Sequence, residues 1–131
     1  MSVKQVSAGI IFHHGKILIA QRKHGKTCEY LWEFPGGKLE SGETMEQCLQ
    51  RELMEEFHLP IKVGKYFMSS LYTYDFGTIE LNAYFASCES EDISFHPDHE
   101  QARWVTMEEM GNYTFPPADR PILVALQKVA K

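Results

Sequence analysis

With 131 residues the chain is long enough to bury a proper core, and one domain over 1–131 is expected. Its net charge of −5 argues against a surface that coats a nucleic-acid polymer, whose mark is a basic stripe. Three cysteines with no CxxC pair point to neither a disulfide framework nor a zinc site, and with no signal peptide and no membrane-length apolar run the expectation is a soluble, cytoplasmic protein without a membrane partner.

Residues 3–12 are apolar and β-leaning, and His13-His14-Gly15-Lys16 reads as a hairpin turn into Ile17-Leu18-Ile19-Ala20. Arg22 ends that strand. Residues 23–29 are polar, with Gly25 among them, and are expected as a mobile loop at a pocket rim. A short strand over 31–34 feeds Gly36-Gly37, where backbone can approach a ligand closely, as phosphate and metal sites require. Thr44 with Gln47 three residues on makes a capping box that starts a helix, and Pro60 stops it. Residues 61–74 are expected as a long strand, Asp75-Phe76-Gly77-Thr78 as a turn and 79–86 as the returning strand. The acidic stretch 87–100 reads as a loop. A short strand over 102–106, one helical turn over 107–110 and an irregular, proline-held segment over 112–117 follow. From Pro121 the spacing of Ile122, Leu123, Ala125, Leu126 and Val129 predicts an amphipathic C-terminal helix. This order implies an α/β fold with helices on both faces of a mixed sheet.

The central helix carries Glu52, Glu55 and Glu56. At ~100° per residue their side chains fall within about 100° of arc. Leu49, Leu53 and Met45 occupy the adjoining arc, so the acidic patch borders the buried stripe. Half-buried like charges repel one another and lose hydration unless something compensates, and Mg²⁺ takes carboxylate and carbonyl oxygens. The alternative for the triplet alone is a solvated acidic face.

Gly37, Glu43, Arg51, Glu52, Leu53, Glu55, Glu56 and Leu59 stand at the spacing of the Nudix box, G-x5-E-x7-R-E-U-x-E-E-x-G-U with U aliphatic, over 37–59. His58 replaces the final glycine, so either His58 adopts a left-handed backbone or the helix ends differently. Trp32-Glu33-Phe34-Pro35-Gly36-Gly37-Lys38 and Phe115-Pro116-Pro117-Ala118-Asp119-Arg120-Pro121 resemble MutT-type members, which extends the likeness over nearly the whole chain. The resemblance implies a Nudix-type α/β/α sandwich and a Mg²⁺-dependent enzyme, with Mn²⁺ as a substitute. That enzyme would hydrolyse oxidised or non-standard nucleoside triphosphates, such as 8-oxo-dGTP or cytosine nucleotides, to monophosphate and pyrophosphate. Its partner would be a single small nucleotide, and it would work as a monomer or homodimer in sanitation of the nucleotide pool. Other readings are a Nudix enzyme for another pyrophosphate and a catalytically silent nucleotide-binding regulator.

The resemblance also implies roles. The Gly36 carbonyl, Glu52, Glu55 and Glu56 would hold the metal, and Arg51 would hold Glu55 or Glu43 in place. Lys38 would meet phosphate or remain solvated. A further acid, Asp98 six residues before Trp104 or the nearby Glu100, would serve as base or ligand. Arg22, Phe34 and Asp119 match the base pocket, with a core role for Phe34 and a helix-capping role for Asp119 as the alternatives. An ionised aspartate only accepts hydrogen bonds, so Asp119 would favour the cytosine N4 amino group or the N7–H of 8-oxoguanine.

Overall fold

Two β-leaning runs meet at His14-Gly15 to form a hairpin of β1 (Lys4–His13) and β2 (Lys16–Arg22). The computed structural model describes residues 3–93 and 99–129. Both turn residues take the left-handed backbone, φ 48° and 78°, that a two-residue hairpin of this kind requires. There follow β3 (Trp32–Glu33), α1 (Met45–Phe57), β4 (Lys62–Tyr74), β5 (Gly77–Ser87), β6 (His99–Val105), α2 (Met107–Met110) and α3 (Arg120–Val129). β5 runs parallel to β1, from Lys4 opposite Ile79 to Phe12 opposite Ser87, and β4 pairs antiparallel with β5. The mixed sheet has the order β3-β2-β1-β5-β4, with β6 also paired to β2.

The period-two alternation of strand side chains divides the core in two. Ile10, Ile17 and Ile19 pack on one face with Met110, Ile122 and Leu126 from α2 and α3. Ile11, Leu18 and Ala20 pack on the other with Leu49, Leu53 and Phe57 of α1. Helices therefore cover both faces, as expected.

A divergence of strands makes room for the site. β1 and β2 pair at Phe12–Ile17 and His13–Lys16, next to their turn. Farther along, β2 pairs instead with β3, at Ala20–Glu33 and Gln21–Trp32. β1 there bonds to the segment after β3: the Gly9 N–H donates to Pro35 O at 2.7 Å and the Ser7 N–H to Gly37 O at 2.8 Å. Residues 32–39 thus form a wedge between the two strands.

β6 departs from expectation. It begins at His99, within the stretch read as loop, because its partner β2 lies far away in sequence and its own residues are polar. A register shift at Gln21/Arg22 sets Arg22 opposite His99, and irregularities of this kind re-aim side chains beside binding sites.

Candidate active site

The glycine wedge is held from both sides. Pro35 O and Gly37 O are engaged by β1, so by strand alternation the intervening Gly36 carbonyl faces away from that ladder. A Cβ on Gly36 would collide with the Ser7 backbone carbonyl, and one on Gly37 with the Glu52 carboxyl. Only glycine permits both approaches. Ser7, 1% exposed, bonds through Oγ to both the N–H and the carbonyl of Gly37 at 3.2 Å. Cys48 Sγ of α1 lies 3.4 Å from Ser7 Oγ and from Gly37 O.

α1 starts at the expected capping box, with Thr44 Oγ1 accepting the Gln47 N–H and Gln47 Oε1 accepting the Thr44 N–H. It ends with His58 in the left-handed conformation, φ 51°, in place of the box glycine. Burial of Cys48, Leu49, Leu53 and Phe57 sets the rotation of the helix. That rotation divides the acidic patch: the side chains of Glu52 and Glu56 are 16% and 14% exposed, that of Glu55 is 57% exposed. Glu55 thus stands outside the half-buried group in which the sequence reading placed it.

Arg51 gathers the box. Its Nη2 and Nε donate to the two Glu43 oxygens at 2.7 and 3.1 Å, and Nη1 to Glu52 at 3.0 Å and Glu55 at 3.1 Å. Nη2 also reaches Lys38 O at 3.0 Å. The hydrogen bonds from Arg51 bring the Glu43 carboxyl down to about 2. Burial pushes the Glu52 carboxyl above its ordinary range, and the Glu55 and Glu40 charges reinforce that against Arg51.

Glu52 and Glu56 open, with Gly36, Gly37 and Lys38, onto a cavity of about 470 Å³ that also reaches Arg22, Phe34 and Asp119. This lies within the ~300–1,000 Å³ usual for small-molecule sites. A chain of contacts runs along it. Arg22 Nη1 donates to Glu33 Oε1 at 2.8 Å. Glu33 Oε2 meets His99 Nε2 at 3.1 Å, and His99 Nδ1 stands 3.8 Å from Glu56 Oε1. Burial works against the Glu33 charge, but His99 and Arg22 outweigh it and hold the carboxyl below its ordinary range. An ionised Glu33 only accepts, so His99 Nε2 carries the hydrogen. Arg22 also donates through Nε to Thr27 O, which ties the rim loop to the sheet.

Asp119 Oδ2 accepts the Phe34 N–H at 3.2 Å, a bond across 85 positions. Its side chain is thus directed to the wedge and not to a first-turn amide of α3. Burial, reinforced by Glu33, holds its carboxyl well above the ordinary range. The ionised, acceptor-only state assumed from the sequence is therefore not the one its surroundings favour. Phe34 is 3% exposed and 5.2 Å from the Phe115 ring, so it belongs to the core, and it also lines the cavity.

Of the residues singled out from the sequence, Arg22, Phe34, Gly36, Lys38, Glu52, Glu56 and Asp119 line the same cavity. Arg51 and Glu55 are not among the residues that line it. Asp98 lies outside the described residues. Glu100 is exposed and accepts the His24 N–H of the rim loop at 3.4 Å. Sequence reasoning passed over Ser7, Glu33 and His99. The signal available for Glu33 was a carboxylate inside an apolar strand; His99 gave none, because its position depends on the β2–β6 register.

Among the described residues no three His, Cys, Asp or Glu side chains converge as a ready ligand set, since Arg51 draws Glu52 and Glu55 toward itself. The donor chemistry nevertheless fits a hard divalent cation. Glu52, Glu56 and Gly36 offer oxygen only, they share one cavity, and the Glu52 charge is disfavoured as the protein stands.

The comparisons with known proteins agree with this geometry. The NUDIX domain model matches residues 3–126, and the chain belongs to the Nudix family. It is 38% identical over 125 residues to the CTP pyrophosphohydrolase of Escherichia coli, covering 95% of this chain and 92% of that one. It is 32% identical over 120 residues to the 8-oxo-dGTP diphosphatase of Haemophilus influenzae, covering 91% and 88%. The solution structure of the E. coli ORF135 protein superposes with a TM-score of 0.86 at 36% identity, covering 99% and 92%.

Proposed function

We propose that this protein is a MutT-like pyrophosphohydrolase of oxidised or non-standard nucleoside triphosphates, with cytosine nucleotides and 8-oxo-dGTP as the candidate substrates. The observation that carries this reading is a single cavity lined both by the box carboxylates Glu52 and Glu56 and by Phe34 and Asp119. The relatives named for CTP and for 8-oxo-dGTP support it.

Gly36 O, Glu52, Glu55 and Glu56 are the residues that would hold Mg²⁺, with Glu55 brought from its present bond to Arg51. When bound, the cation supplies neutralisation of the triphosphate charge. Water attacks the β-phosphorus and the bond to the α–β bridging oxygen breaks, giving nucleoside monophosphate and pyrophosphate. Asp98 takes the proton of the attacking water. Arg51 holds the carboxylates in register and Lys38 meets phosphate oxygens. Arg22 lines the base pocket and is held there by Glu33 of β3 and by Thr27 O of the rim loop. Phe34 and Asp119 bound the base.

The test is pyrophosphate release with Mg²⁺ at low substrate across dCTP, CTP, 5-methyl-dCTP, dGTP, 8-oxo-dGTP and ADP-ribose. Release from the triphosphates is expected. A preference for cytosine nucleotides would place Asp119 at the N4 amino group, and a preference for 8-oxo-dGTP over dGTP would make this a mutation-avoidance enzyme. Silence on every triphosphate with activity on ADP-ribose would overturn the pocket assignment.

A further inference from the structure

His99 opens β6, and its side chain is only 4% exposed. The ring stacks on Phe57 of α1, with centroids 5.3 Å apart and an interplanar angle of 29°, so the core fixes its orientation. Its Nε2–H donates to Glu33 at 3.1 Å, and Arg22 holds Glu33 in turn at 2.8 Å. With the hydrogen on Nε2, the neutral ring carries its lone pair on Nδ1. That atom is buried and has no hydrogen-bond partner among the described residues, a rare condition for a polar atom in a folded protein. It stands 3.8 Å from Glu56 Oε1, and His99 and Glu56 line the same cavity.

Two donors ~2.1 Å from one cation lie about 3 Å apart at a right angle, and farther apart at wider angles. A small approach by the end of the Glu56 side chain therefore lets both atoms hold one ion. The opposite edge of the ring fits the same role. A metal-ligating histidine almost always donates its second ring N–H to a carboxylate, which fixes both tautomer and orientation. Glu33 is that carboxylate here, and Arg22 keeps it in place.

We propose that His99 Nδ1 is a metal ligand that joins Glu56 in holding a first-row transition cation such as Mn²⁺. This rests on the metal role given to Glu56 above. Imidazole nitrogen strengthens a site for first-row transition cations, whereas Mg²⁺ takes oxygen donors. His99 accordingly sets which divalent cation the site prefers, and Glu33 and Arg22 act through it as positioning residues.

The experiment adds one equivalent of Mn²⁺ to the nucleotide-free protein and reads nitrogen coupling to the ion by pulsed electron paramagnetic resonance. Dissociation constants for Mn²⁺ and Mg²⁺ are measured beside it, for wild type, His99→Gln and Glu33→Gln. The wild type should show an imidazole nitrogen coupled to Mn²⁺. His99→Gln keeps an N–H donor for Glu33 but has no lone pair in place of Nδ1. It should lose the coupling and weaken Mn²⁺ binding by on the order of tenfold, with Mg²⁺ binding changed by less than about threefold. Glu33→Gln should keep the coupling and also weaken Mn²⁺ binding by on the order of tenfold. Mn²⁺ bound to wild type without nitrogen coupling would make His99 only an ion-pair partner of Glu56, and the proposal falls whether or not the variants fold. Coupling that persists in His99→Gln, or Mn²⁺ and Mg²⁺ weakened there to the same degree, overturns it as well. A wild type that binds no Mn²⁺ overturns the metal role of Glu56 and this proposal with it. Nitrogen-coupled Mn²⁺ in a wild type that hydrolyses no nucleoside triphosphate leaves the ligand standing and overturns the nucleotide reading alone.

Discussion

Asp119 shows how far a single residue can be reread once its neighbours are known. Its identity was legible as a base-pocket candidate, but its protonation was not, because burial and the nearby Glu33 come from the assembled fold. A carboxyl whose folded-state pKa is raised binds its proton more tightly in the folded protein than in the unfolded chain. Its contribution therefore favours folding below the ordinary value of 3.8 and is lost as pH rises from there through the raised folded value. Asp119→Asn removes that loss. The melting temperature of the variant minus that of wild type is expected to grow as the buffer is taken from about pH 4 to about pH 8. A difference that stays constant over the range would show that Asp119 is ionised with little penalty. Relative rates across the bases should also change, since the amide presents two N–H donors where the protonated acid presents a single O–H.

At the scale of elements, the helix was readable and the strand beside it was not. Thr44, Gln47 and Pro60 are local signals, and α1 begins and ends where they place it. The start of β6 at His99 depends on pairing with Ile17–Arg22, more than seventy positions away, which no local pattern encodes. The glycine wedge yields a prediction that separates fold from chemistry. In Gly36→Ala the new Cβ strikes the backbone of β1, which cannot yield, so a loss of more than about 3 kcal/mol in urea unfolding is expected. In Gly37→Ala it strikes the movable end of the Glu52 side chain. That variant should keep most of its stability and lose turnover by on the order of a hundredfold, because the carboxylate is displaced. Equal stability losses in the two variants would contradict this account of the wedge.

For the molecule as a whole, the arrangement of acids predicts that a divalent cation stabilises the fold. Carboxylates that repel one another in the cavity gain a compensating charge, and a ligand bound only by the native state adds about 2.7 kcal/mol at a hundred times its Kd. Adding Mg²⁺ should raise the melting temperature, chelation should reverse the rise, and Glu52→Gln should abolish most of it. A melting temperature indifferent to Mg²⁺ in the wild type would remove the metal assignment. The sequence by itself determined the helix with its N-cap, the spacing of the carboxylates and the glycine pair, because each of these depends on residues within one or two turns of one another. Only the tertiary structure decided which carboxylates share the cavity, since the rotation of α1 is set by packing Leu49, Leu53 and Phe57 against strands distant in sequence. It alone joined Arg22, Glu33, His99 and Glu56 into one line of contacts. Long-range pairing and burial are properties of the assembled sheet, and no local stretch of sequence records them.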